Sequence, residues 1–235
     1  MGRAARITLI VSAALASLGF LALCGWQVQR LSWKQDLIAR IERQVHAEPV
    51  APPPATAPVS KSDEYRRLRL HGRFEPREVL VHATTELGGG HWVIAPLRLE
   101  DGSTVLVNRG FVPPQQRAPE LHAAPSGPVE LVGLLRLTET GGGPLRRNEP
   151  AEGRWYSRDV AGIAAQLGLG GSVAPFFVDE SADPARPQRW PRPGLTVLRF
   201  ANNHAVYAIT WLALGVMTAA AAVYLVREER RRAPS

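Results

Sequence analysis

Two long uncharged runs constrain this chain more than any other feature. Residues 7 to 28, "ITLIVSAALASLGFLALCGWQV", and residues 204 to 226, "HAVYAITWLALGVMTAAAAVYLV", contain no Asp, Glu, Lys or Arg. At about 1.5 Å of helical rise per residue, each reaches roughly 33 Å or slightly more, against about 30 Å of hydrocarbon in a bilayer. A central charge would cost about 2.5–3.5 kcal/mol on insertion, so runs this long without one predict two transmembrane helices. The first run exceeds the roughly 7–15 apolar residues of a signal peptide and is followed by no small-x-small cleavage site. "LALCG" places the single cysteine, Cys24, after Leu23. Leucine is too large for the residue before a lipoprotein cysteine, so Cys24 reads as an ordinary apolar residue. One cysteine also excludes an internal disulfide and cysteine-based zinc or iron–sulfur sites.

The flanks give an expected orientation. Arg3 and Arg6 precede the first run, and Arg227, Arg230, Arg231 and Arg232 follow the second. Cytoplasmic loops and tails carry the excess of basic residues, so both termini are expected in the cytoplasm and the central segment outside it. With no separate Arg/Ser-rich leader, the expected location is a bacterial inner membrane with a periplasmic domain. The expected organisation is a tail at 1–6, a span at 7–28, a juxtamembrane helix at 29–48 and a Pro/Ala linker at 49–60. A β domain at 61–202, a second span at 203–226 and a tail at 227–235 complete it. The net charge of +7 is carried almost wholly by arginine. No Lys/Arg block alternates with aromatic residues, which argues against nucleic acid as a partner. The lipid bilayer is the expected one.

Between the runs the periodicity changes. In "RLSWKQDLIARIERQVHAEP", Leu31, Ile38, Ile41 and Val45 approximate a helical stripe that ends before Pro49. "PVAPPPATAPVS" is expected to run extended without packing, and so to separate helix from domain. From residue 65, "YRRLRLHGRF", "REVLVHA", "HWVIAPLRL", "STVLVNRGFV", "PVELVGLLRL" and "VAPFFVDE" read as strands, with "LTVLRF" (195–200) as a last one. In "STVLVNRGFV", strict alternation puts Val105, Val107 and Phe111 on one face with Arg109 among them. "SRDVAGIAAQLGL" reads as a short helix with Ser157 as a plausible N-cap. The fold class is therefore a membrane protein in which two transmembrane α-helices flank an extracytoplasmic, mainly-β domain, an antiparallel barrel or sandwich with one short helix.

The sequence contains no H-E-x-x-H, G-x-S-x-G, phosphate-loop or C-x-x-C-H pattern. An enzyme is not expected, although a Ser/His/Asp triad assembled from distant residues leaves no such trace. The sharper feature is "NNHAVYAITW". On a helix His204, Tyr207 and Trp211 fall at i, i+3 and i+7, at the outer end of the second span. Asn202 or Asn203 can cap that helix, and Tyr and Trp suit a membrane interface. That reading is complete in itself. The alternative makes His204 a metal or haem-iron ligand with an aromatic face beside it. His46, His71, His82, His91 and His122 show no ligand spacing on any one element.

Four stretches together resemble the Surfeit locus protein 1 family of cytochrome c oxidase assembly factors, in its bacterial form. "GWQVQRLSWKQDLI" carries Trp26, Gln27, Arg30, Trp33 and Lys34, and "RLRLHGRFEP" carries Gly72 and Phe74. "VLVNRGFVP" carries Asn108, Arg109, Gly110 and Pro113, with Phe111 where tryptophan is more usual. "NNHAVYAITW" carries Asn202, Asn203, His204, Tyr207, Ala208, Thr210 and Trp211, with Ala205 where leucine is more usual. The resemblance implies a helper that binds haem a and assists its insertion into the oxidase's catalytic subunit, with that subunit and haem a synthase as partners. It implies His204 as the iron ligand, with Tyr207 and Trp211 lining the porphyrin. For Asn108, Arg109 and Gly110 two readings stay open, a structural turn and an arginine reaching a haem propionate. A haem-independent scaffold for oxidase subunits is the alternative function, with Gly215 and Ala219 as a small-xxx-small helix contact. An unrelated hydrolase is a third.

Overall fold

The computed structural model describes residues 3–142, 146–196 and 202–232. The chain divides into a helical unit (Met1–Arg40 with Arg199–Ser235) and a sheet unit (Ile41–Leu198). The helical unit holds most of α1 (Arg3–His46) and all of α3 (His204–Arg232). Both helices are long and apolar enough to cross a membrane. Their apolar side chains stay largely exposed, Leu18 at 64% and Ile209 at 69% among them, a surface matched to hydrocarbon rather than to a protein core. The first span and the juxtamembrane segment form one unbroken helix that stops at His46.

The sheet unit is built from β1 (Arg67–Phe74), β2 (Val79–Thr85), β3 (Gly88–Leu99), β4 (Thr104–Val112), β5 (Pro128–Leu137) and β6 (Val173–Glu180). The six strands coincide with six of the seven stretches that read as strands in the sequence. Their order is β1-β5-β6-β4-β3-β2, and a further pairing of β1 with β3 closes five of them into a ring. β2 extends the ring as a hairpin on β3. Closure needs Gly72, because a Cβ there would lie 2.3 Å from the Arg98 carbonyl oxygen on β3. All pairs are antiparallel except β4 with β6, which is parallel. The expectation of a wholly antiparallel sheet fails at that pair.

Side chains from every ring strand form the first core cluster, including Leu68, Leu97, Val107, Leu135 and Phe176, so this cluster is the barrel interior. The second joins Val81, Ile94, Leu106, Trp155, Ile163 and Phe177, and lies between the outer face of the sheet and α2 (Val160–Gln166). Burial of each such side chain contributes about 1.5–3 kcal/mol. β4 is buried at all nine positions because its two faces serve the two clusters.

Three local expectations are corrected. The strand β4 does not alternate to its end. Opposite the step from Trp92 to Ile94 on β3 it goes from Phe111 to Asn108, so Arg109 and Gly110 form a bulge. One extra residue reverses the facing of the positions beyond it. Phe111 therefore leaves the face of Val105 and Val107 and meets Trp92 edge-on, with ring centroids 6.0 Å apart. The cap of α2 is Asp159, whose carboxylate accepts from the Gly162 N–H at 3.3 Å. Ser157 instead accepts from the Asn148 amide at 2.8 Å and the Gly142 N–H at 3.1 Å. The Pro/Ala tract is not a free spacer. Val50 adds to β1 beyond the reach of β3, through Val50 N–H to the Arg67 carbonyl and Arg69 N–H to the Val50 carbonyl. Ala55 and Val59 then pack on the barrel core. Of the expected strand at 195–200, Leu195 and Thr196 are irregular and 197–200 lie outside the described residues.

Candidate functional site

Within the helical unit α1 and α3 run antiparallel, with contacts spaced along their length. Arg6 pairs with Glu229 at 3.1 Å. The Ser17 hydroxyl donates to the Gly215 carbonyl at 2.9 Å, and Phe20 stacks on Trp211 with centroids 5.6 Å apart. Close approach is possible because the contact stripe of α3 is made of small residues. Ala208, Gly215 and Ala222 are buried, and a Cβ on Gly215 would come within 3.1 Å of Leu21. Small residues let helix backbones approach where lipid offers no hydrophobic drive. The stripe repeats every seven residues and takes in Ala222 and Ala208, whereas Ala219, expected as the partner of Gly215, is only half-buried.

The outermost contact joins His204 to Gln27. His204 Nδ1 lies 2.7 Å from Gln27 Oε1, and Gln27 is 8% exposed. With an amide oxygen facing the ring, Nδ1 carries the hydrogen and donates it, and the ring lone pair is left on Nε2. Nε2 makes no hydrogen bond among the described residues. This is the arrangement that outer acceptors impose on ligating histidines, fixing tautomer and ring direction. The donor set therefore suits a haem iron through a single imidazole.

The structure brings Trp211 to the same contact face as His204, although one face of its indole is already against Phe20. Tyr207 points outward at 53% exposure and does not join them. Asn203 precedes α3, and its backbone carbonyl accepts from the Tyr207 N–H at 3.2 Å. Asn202 Oδ1 is buried without a partner among the described residues, so it does not cap the helix. Trp26 is half-exposed beside Gln27 on α1. The Gln27–His204 pair is the contact that sequence reasoning missed. Its signal lies in the two apolar runs, which end and begin at these residues and meet if the helices are antiparallel.

Asn108, Arg109 and Gly110 belong to the sheet unit and act structurally there. Asn108 and Asp179 are register partners on β4 and β6, and the Asn108 amide donates to Asp179 at 2.8 Å. Asn108 Oδ1 also accepts from the Gly110 N–H at 3.1 Å, closing the bulge. Gly110 has φ +125°, and a Cβ there would sit 2.3 Å from the Arg192 carbonyl. Arg109, 2% exposed, donates to the His122 carbonyl at 2.9 Å and the Ala123 carbonyl at 3.1 Å, with Glu78 at 3.7 Å and the Phe74 ring beneath. Burial lowers its pKa against the opposing pull of Glu78. Both terminal nitrogens are engaged by backbone carbonyls, which favours the structural reading over the propionate one.

Asp179 is the centre of a larger network that no sequence motif marks. It is 3% exposed and accepts from Asn108, from Arg158 at 3.1 Å, from Arg136 at 3.0 Å and from Thr196 at 3.0 Å. Arg136 also reaches Glu64 at 3.2 Å, and Arg158 reaches Glu139.

The histidines away from the helices separate in the same way. His82 and His91 are direct register partners on β2 and β3, with ring centroids 4.6 Å apart, and His82 stacks on Tyr156. Their pairing is legible in principle, since they are equidistant from the hairpin turn at Glu86–Leu87. His122 is enclosed between Glu78 and the Gln116 carbonyl, at 2.7 and 2.9 Å. Among the described residues no group of three or more His, Cys, Asp or Glu is placed to hold a metal ion.

The profile of the SURF1 family matches residues 14–216. The chain is 36% identical to the Surfeit locus protein 1 of Rattus norvegicus in an alignment 212 residues long that covers 82% of this chain and 67% of that protein. It is 35% identical to the Homo sapiens protein of the same name in an alignment 215 residues long that covers 82% of this chain and 69% of that one. A SURF1-like protein of Monosiga brevicollis is 34% identical in an alignment 222 residues long that covers 88% of this chain and 83% of its own length. The family match begins inside the first apolar helix, takes in the whole sheet unit and ends inside the second. The chain belongs to the SURF1 family.

Proposed function

We propose that this protein is a membrane-anchored assembly factor for cytochrome c oxidase that binds haem a through His204 and assists its insertion into the catalytic subunit. The observation that carries this reading is the 2.7 Å contact of His204 Nδ1 with the buried Gln27 amide. It leaves Nε2 oriented, and without a hydrogen bond among the described residues, at the end of a helix pair whose surface suits lipid. Bound haem would supply an iron that accepts this nitrogen. The chain's own residues position the ring, and Asn202 Oδ1, buried without a partner among the described residues, lies in the residue pair that leads into α3.

One protein ligand makes release possible, as a donor of haem requires. No bond in the substrate is made or broken by the chain, so the role is non-catalytic. The two apolar helices support two passes of a membrane, and the arginines that flank them support cytoplasmic termini, which would make the sheet unit periplasmic in a bacterium. Haem a synthase as the source and the oxidase catalytic subunit as the recipient are the partners this role requires.

The test is complementation of a strain lacking the protein. His204→Ala, produced at parental level, is expected to leave oxidase short of haem a. A variant that restores fully loaded oxidase would move the reading to the haem-independent scaffold.

A further inference from the structure

We propose that Arg30 is the anion-binding arm of the His204 site and receives a carboxylate side chain of the bound tetrapyrrole. The proposal rests on the haem reading of that site.

Arg30 lies three residues beyond Gln27 on α1, nearly on the same face and about 4.5 Å further along the axis. Gln27 is opposite His204, which is the first residue of α3. Arg30 therefore stands about one turn beyond the level of the imidazole, at the polar end of the site. A ligand whose iron sits on His204 Nε2 has its carboxylates to place, and the aqueous side is where their charge is least costly.

The guanidinium is held ready rather than consumed. Its carbon lies 5.9 Å from the Trp26 ring centroid and 5.1 Å from that of Trp33. Those residues are at i−4 and i+3, so they bracket Arg30 along one side of the helix. Stacking on indole faces restricts the rotamers of a long side chain and leaves the N–H edges open to a planar bidentate acceptor. No carboxylate among the described residues pairs with Arg30. By contrast Arg109, Arg136 and Arg158 all carry internal acceptors. Trp26 and Trp33 are about half-exposed, so the arm is accessible. This assignment gives a role to the Trp26, Arg30 and Trp33 motif that imidazole ligation alone leaves unused.

The experiment titrates the full-length protein in detergent with ferric haem and with its dimethyl ester, reading the Soret band. The ester keeps the iron and loses the negative charges. Arg30→Gln is expected to weaken haem binding roughly tenfold or more while leaving ester binding and the band position unchanged, and Arg30→Lys to recover part of the loss. Equal weakening toward both ligands, or none toward haem, overturns the proposal. Loss confined to retention on vesicles of anionic phospholipid, with haem affinity intact, would assign Arg30 to lipid phosphate and also overturn it. His204→Ala in the same titration separates the two levels, since failure of the haem reading shows as unchanged binding of both ligands in that variant.

Discussion

Removing the Asp179 carboxylate should unfold the sheet unit more easily than almost any other single polar change. Asp179 is 3% exposed and compensates two arginines at once, through Arg136 at 3.0 Å and Arg158 at 3.1 Å. The arginines also pack over aromatic faces, Arg136 over Tyr65 at 4.8 Å and Arg158 over Phe177 at 4.6 Å, so neither can swing out to water without loss. For Arg158, burial acts to lower the pKa, yet Asp179 and Glu139 together hold it above the ordinary value. Asp179→Asn keeps the shape and removes the charge. Breaking a buried pair costs about 3–5 kcal/mol. Glu64 and Glu139 retain one partner for each arginine, which places the expectation at about 3 kcal/mol. At about 2–4 °C per kcal/mol for a unit of this size, the melting temperature should fall by roughly 10 °C. Thermal unfolding of the full-length protein in detergent, followed by near-ultraviolet circular dichroism, measures it. Asn108→Ala, which removes one hydrogen bond to the same carboxylate, should cost about half as much. An Asp179→Asn protein melting within roughly 2 °C of the parent would refute the claim that this carboxylate neutralises both cations.

Gly110→Ala should cost at least about 2 kcal/mol in the same assay, since φ is +125° and the new methyl meets the Arg192 backbone. The His82–His91 pair should make stability pH-dependent. Burial first, then Arg117 and Arg146, lowers the pKa of His82, while burial, His82 and Arg117 lower that of His91. The unfolded chain therefore takes up protons from about pH 6.5 downward before the folded one does. Their contribution is full above that pH and is lost as pH falls through the folded values. A His82→Gln, His91→Gln protein should show a flatter melting temperature between about pH 6.5 and 5, and an unchanged slope would count against the pair. Gln27→Leu should weaken haem binding about 10–100-fold by freeing the His204 tautomer, with Gln27→Glu close to parental, as judged by Soret titration.

The secondary structure is largely legible in the sequence because alternation and uncharged length are local signals. All six strands and both long helices stand where the patterns put them. Pairing is the part that local pattern cannot carry. The β1–β3 closure and the parallel β4–β6 contact join segments far apart in sequence, and nothing in "VAPFFVDE" marks Asp179 as the residue that two arginines will share. The bulge at Arg109–Gly110 defeats alternation because it adds one residue without a composition change, and Phe111 changes face as a result. Ser157 and Asp159 are both good caps, and Asn148 and Gly142 decide between them by occupying the serine. The Pro/Ala tract packs, against expectation, because an edge of β1 beyond β3 offers ladder bonds that a proline-rich segment can take at Val50. For the site, His204 is visible as a histidine at the head of an apolar run. Gln27 is visible only as part of a motif, since its role depends on helices whose register the sequence does not state.

The most direct test is the absorption spectrum of the detergent-purified protein from cells that also make haem a synthase. Ligation by His204 predicts the Soret and visible bands of histidine-ligated haem a in the parent, and their loss in a His204→Ala protein that remains folded by circular dichroism. A parent purified without haem a, or a His204→Ala protein with undiminished bands, would contradict it.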